Sequence, residues 1–142
     1  MCGEVAAPRR FWLIVKSMKF ARWIFTIAGI YGVLLMAPLF FLEKAIGQKD
    51  PPAITHPLFF YGFAGVTLVW QIAFLVIGRD AARLRPMMPL AVLEKIAYGV
   101  AGVVLYVQHR MNSPADLGFA CIDLVWAALF IAAYFKTAAQ AG

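Results

Sequence analysis

Between Leu117 and Phe135 the only charged side chain is Asp123, set in the run CIDLVW. A carboxylate inside a long apolar segment can carry a proton, hold a cation or receive a polar group away from water. Other polar residues stand where they could serve it. Thr67 takes the place of Asp123 in an echoed decapeptide, YGFAGVTLVW at Tyr61–Trp70 against LGFACIDLVW at Leu117–Trp126. Gln71 follows Thr67 by one helical turn, and Glu94, Lys95 and Tyr98 interrupt a third apolar run.

Lys95 is the expected counter-ion of Asp123, because only a short connection separates the two runs that carry them. Its alternative is to snorkel toward headgroups. Without that pair, Asp123 is expected to be protonated and hydrogen-bonded to Tyr98, Thr67 or Gln71, or merely to hold helices together. Glu94 is expected near the cytoplasmic interface, half solvated and structural.

A second polar group gathers at the opposite end of the runs: Glu43, His56, His109 and Arg110. Histidine and carboxylate ligands suit a transition metal, and two histidines can hold a haem. Both histidines are expected at an interface and no H-x3-H spacing occurs, so ordinary interfacial residues are favoured, with no metal site. No cofactor can be named. The two cysteines, Cys2 and Cys121, form no CxxC, which disfavours thiol redox chemistry; Cys121 is expected to be a small packing residue.

The elements that position these residues follow from composition. Of 142 residues, 63% are hydrophobic and 14% charged; mean hydropathy is +0.80. A soluble domain of this size cannot bury that much apolar surface, so its solvent is lipid. An all-α, polytopic membrane four-helix bundle is predicted. Its spans are 23–42, 58–78, 89–108 and 114–135, each near the roughly 20 residues a bilayer needs. Ser113-Pro114-Ala115-Asp116 marks the start of the fourth. Residues 1–22 form a basic segment, either an amphipathic helix on the membrane surface or an extension of span one, and 136–142 a short tail. No cleaved secretory signal is expected. Trp23, Tyr31, Phe59, Phe60, Tyr134 and Phe135 are expected to be lipid-facing or belt aromatics.

Lysines and arginines orient the bundle. Arg9, Arg10, Lys16, Lys19, Arg22, Arg79, Arg83, Arg85 and Lys136 fall on one side, against Lys44, Lys49 and Arg110 on the other. Both termini are therefore expected in the cytoplasm. The net charge of +6 is dispersed beside apolar runs and suits anionic headgroups rather than nucleic acid.

The decapeptides lie fifty-six residues apart, and the odd spans carry a fainter echo, IYGVLL at Ile30–Leu35 and AYGVAG at Ala97–Gly102. Two repeated helical hairpins would turn Thr67, Gln71 and Asp123 toward a shared axis. Gly29/Gly32, Gly62/Gly65, Gly99/Gly102 and Gly118/Cys121 give every span a smooth patch, for packing inside the bundle or in a homo-oligomer or larger membrane complex.

The four spans and the pattern DLVWAALFIAAYFKT resemble small bacterial four-helix membrane proteins, DoxX-like proteins among them. The resemblance is one of architecture, and it implies a bacterial inner membrane without assigning any catalytic residue. No P-loop, GxSxG, HExxH or dinucleotide fingerprint appears. The sequence therefore favours a non-catalytic bundle acting through helix and lipid contacts, as an oligomer or accessory subunit. The alternative is a proton-coupled transporter, or a lipid- or quinone-binding protein or enzyme, with a pocket around Asp123. A deep cavity lined by Asp123, Thr67, Gln71 and Tyr98 distinguishes the second from the first.

Overall fold

The computed structural model describes residues 7–49, 54–111 and 113–138. Cys2 with the rest of 1–6, loop positions 50–53, Asn112 and the tail 139–142 lie outside the described residues. Among those described, all regular structure is helical: α1 (Ala7–Met36), α2 (Leu39–Lys49), α3 (Pro57–Arg79), α4 (Met88–Val107) and α5 (Pro114–Ala138), with a 3-10 turn at Arg85–Met87 leading into α4.

Four segments are long and apolar enough to cross a membrane: Val15–Met36, Pro57–Arg79, Arg85–Val107 and Pro114–Thr137. At about 1.5 Å per residue each reaches the thickness of a hydrocarbon core of about 30 Å. Their outer faces expose Leu34, Leu58, Val69, Val107 and Phe135, which water penalises and acyl chains do not. The chain is an integral membrane protein, a four-helix bundle with a shorter fifth helix at one end.

Span one departs from the expected 23–42. α1 runs unbroken for 30 residues from Ala7, so the basic segment is continuous with the span rather than a separate surface helix. It stops at Met36 because Pro38 has no N–H to donate and its ring crowds the carbonyl four residues back. The Ala37 N–H still donates to Val33 O at 3.0 Å. Leu39–Leu42 belong to α2 instead. At the other end of the chain, α5 starts at Pro114 as expected, and the Asp116 N–H donates to Ser113 O at 3.2 Å.

α1 packs along α3, and α4 along α5. The two pairs meet chiefly through α1 and α5, while α3 and α4 scarcely touch. Glycine permits the close crossings: a methyl on Gly29 would lie 2.7 Å from Leu75, and one on Gly99 2.7 Å from Leu124. Gly32 leaves room for the Gln71 side chain, and Gly102 for the Ala120 methyl. The patches on α3 and α5 are not used in this way. Gly62 and Gly118 face open space, Gly65 has only Phe40 nearby at 3.9 Å, and Cys121 is exposed rather than packed.

The half of the bundle that holds the Thr137 end of α5 and the α3–α4 connection is solid. Phe25 stacks on Phe130 at 4.2 Å, and Phe74 meets Phe130 edge-on at 5.0 Å. Ala21, Ala28, Ala91 and Ala133 fill the gaps around them. Buried positions of α3 recur in α5 at the spacing of the echo: Ala64 and Ala120, Gln71 and Ala127, Phe74 and Phe130, Ile77 and Ala133. The helix contacts do not share this symmetry, since α1 meets α5 where α3 leaves α4.

Candidate functional site in the open half of the bundle

Where α3 and α4 fail to close, the other half of the bundle holds a cavity of about 590 Å³. Its floor is built on α4 and α5. Gly99, one turn after Lys95, lets α4 approach α5 at Ala120 and Leu124, and that approach brings Lys95 within reach of Asp123. Lys95 Nζ donates to Asp123 Oδ1 and Oδ2 at 3.2 Å each, and lies 3.4 Å from Glu94 Oε2. The three side chains are only 7%, 15% and 13% exposed respectively. Glu94 Oε2 is buried and accepts no hydrogen bond from the described residues. Beneath the ammonium lies the solid core, with the Phe74 ring centroid 5.4 Å away.

Thr67 and Gln71 face the floor from α3. Gln71 is buried against Gly32 of α1, and its Nε2 donates to Thr67 O at 3.1 Å. Apolar walls rise from there, among them Leu35, Met36, Phe60 and Phe119. The Phe63 and Tyr98 rings stack at 5.9 Å across the gap between α3 and α4. Over the mouth, α2 contributes Leu39, Ile46 and Lys49, opposite Ser113 and Asp116 at the start of α5. Tyr61 ties α2 to α3: its hydroxyl donates to Glu43 Oε2 at 2.8 Å, and its ring lies 6.0 Å from that of Phe40.

All six residues expected to form an intramembrane polar group (Asp123, Lys95, Glu94, Tyr98, Thr67 and Gln71) line this one cavity. Glu94 differs from expectation in its surroundings. It is not half solvated at an interface but lies beside Lys95, both lining the space where α3 stands away from α4. Tyr31 and Phe60 also differ, lining the cavity instead of a lipid belt. The fainter echo held the signal for Tyr31, since it aligns Tyr31 with Tyr98. The stronger echo aligns Phe119 with Phe63, another wall residue, whereas nothing in the sequence marked the α2 residues that cap the mouth.

The outer cluster is not assembled. Glu43 bonds Tyr61, while His56 caps α3 with its ring edge-on to Phe59 at 6.0 Å. His109 turns the chain out of α4 with φ 54°, and Arg110 is exposed. Among the described residues no three His, Cys, Asp or Glu side chains are grouped to hold a metal ion.

The site is thus amphipathic, with a charged floor, apolar and aromatic walls and a polar rim. Two carboxyl groups share one ammonium at the floor, in a setting where an unbalanced charge is expensive. Comparisons with protein-family models, curated proteins and solved structures find no match to the chain.

Proposed function

We propose that this protein binds a small amphiphilic molecule within the membrane. The polar end of the ligand sits at the Glu94–Lys95–Asp123 floor, and its apolar part lies between the aromatic walls. The observation that carries this reading is a cavity of about 590 Å³ ending on a buried ion pair. Ligand pockets typically measure about 300–1,000 Å³, with apolar linings and a few convergent polar groups. A bundle acting only through helix contacts has no use for such a space. Its glycines are also largely engaged within the chain, since Gly29, Gly32, Gly99 and Gly102 all face neighbouring helices.

Binding is the step shared by a carrier and by a lipid- or quinone-handling enzyme. The proton-active group in either is a carboxyl of the floor, Glu94 or Asp123. Access from lipid runs between α3 and α4, where the Phe63–Tyr98 stack is the main contact to be displaced. The excess of lysine and arginine at the solid end supports termini in the cytoplasm against anionic headgroups, with the mouth on the outer side of a bacterial inner membrane. Duplication of an ancestral helical hairpin accounts for Tyr31 and Tyr98, and Thr67 and Asp123, meeting in one space.

The test is to isolate the protein from its native membrane in mild detergent, extract what co-purifies, and repeat this with Thr67→Trp, which puts an indole into the cavity. A molecule retained by the parent and lost from the folded variant supports the proposal. Identical extracts containing only bulk lipid contradict it.

A further inference from the structure

The charge arrangement of the floor defines the class of ligand. Lys95 carries one positive charge, and two carboxyl groups face it. Asp123 takes both of its closest contacts, at 3.2 Å, while Glu94 Oε2 stays 3.4 Å away without a hydrogen bond among the described residues. The other groups that face this point do not redress the balance. α3 offers the neutral Thr67 and Gln71, and α1 and α4 the phenols of Tyr31 and Tyr98. Lys49 of α2 and Asp116 of α5 stand at the mouth, one of each sign. With every acid ionised, the described residues that line the cavity therefore carry one negative charge more than they neutralise. Only a proton or a positively charged guest removes it.

The walls favour the same guest. Tyr31, Phe60, Phe63, Tyr98 and Phe119 line the same space as the acids. Aromatic faces attract cations, and more strongly when water is excluded. An anionic guest would add to the surplus, and a neutral one would leave it in place.

We infer that the cavity takes a lipophilic organic cation, such as a protonated hydrophobic amine or a quaternary onium ion. Its charged centre sits beside Glu94, in competition with a proton for that carboxylate. The inference rests on the amphiphile-binding reading and names its substrate class. Asp123 keeps Lys95 engaged, so that Glu94 is left for the ligand. Occupation by the cation and occupation by the proton exclude each other, which is the coupling that an exchanger of cations for protons requires.

The experiment compares two probes of similar shape and opposite charge, tetraphenylphosphonium and tetraphenylborate, with decanol as a neutral amphiphile. Binding is measured calorimetrically to the full chain in phosphatidylcholine nanodiscs, against empty discs. The inference expects saturable binding of tetraphenylphosphonium at one per chain, weakened at least tenfold from pH 8 to pH 5. Glu94→Gln should reduce the affinity at least tenfold and flatten the pH dependence, and Glu94→Asp should restore both in part. Tetraphenylborate should give no saturable signal. If tetraphenylborate or decanol binds saturably and is blocked by Thr67→Trp while tetraphenylphosphonium does not bind, the cation assignment is overturned and the amphiphile reading stands. Equal tetraphenylphosphonium binding by the parent and a folded Glu94→Gln also overturns the assignment. No saturable binding by any of the three overturns both.

Discussion

Lys95 Nζ stands 3.2 Å from each carboxylate oxygen of Asp123, joining α4 to α5 at the floor of an intramembrane cavity. Such a pair is better understood as a constraint than as a source of stability. Transfer of both charges out of water costs about as much as their attraction returns, whereas removal of one partner strands the other.

Lys95→Met should therefore destabilise the protein by about 3–5 kcal/mol, because it leaves two acids without a cation. The double variant Lys95→Met/Asp123→Leu should recover much of that loss. Unfolding of the four variants of this cycle in mixed micelles measures the coupling. Additive losses would show that the two groups do not depend on each other.

Gly99→Val should loosen the contact between α4 and α5. Its branched side chain meets Leu124 and the Ala120 carbonyl, where even a methyl would lie at 2.7 and 3.0 Å. Overpacking of this kind costs about 1–3 kcal/mol. Gly62→Ala and Gly118→Ala point into open space and should be neutral, or stabilising by up to about 1 kcal/mol from helix propensity. Thermal midpoints of the three variants in one detergent check the contrast.

Tyr61→Phe should free α2 from α3 by removing the 2.8 Å bond to Glu43. A net loss of about 1 kcal/mol is expected, confined to the lid. Hydrogen exchange should accelerate across Leu39–Lys49 and stay unchanged in α5. Uniform acceleration would mean that Tyr61 supports the whole bundle.

Ser113→Cys and Arg83→Cys should react with a membrane-impermeant maleimide from opposite sides of sealed vesicles, in a Cys2→Ser/Cys121→Ala background. The lysine and arginine bias predicts that Arg83→Cys is labelled only in inside-out vesicles. The reverse pattern would invert the cavity mouth.

Much of the frame was legible because lipid imposes simple rules. Span two appears as an uninterrupted apolar run, spans three and four as apolar runs broken by few charges, and Ser113-Pro114 announces α5. The break after Met36 had its signal in Pro38, which hydropathy continuing through Leu39–Leu42 outweighed in the reading of span one. Lys95 and Asp123 could be paired on paper because a charge at that depth requires a companion. Glu94 could not be placed, because its surroundings depend on α3 and α4 standing apart. That separation reflects how whole helix pairs lean on one another, and no local pattern encodes it. The cavity was accordingly readable as a set of polar residues, and its volume, walls and lid were not.

In the proposed function, the open half of the bundle is a binding site built on Glu94, Lys95 and Asp123. The most direct measurement is a density map of the protein isolated from its native membrane. It should contain a guest between α3 and α4, with a polar end within hydrogen-bonding distance of that trio. A map in which α3 closes onto α4, side chains fill the space, and Asp123 points away from Lys95 would contradict it.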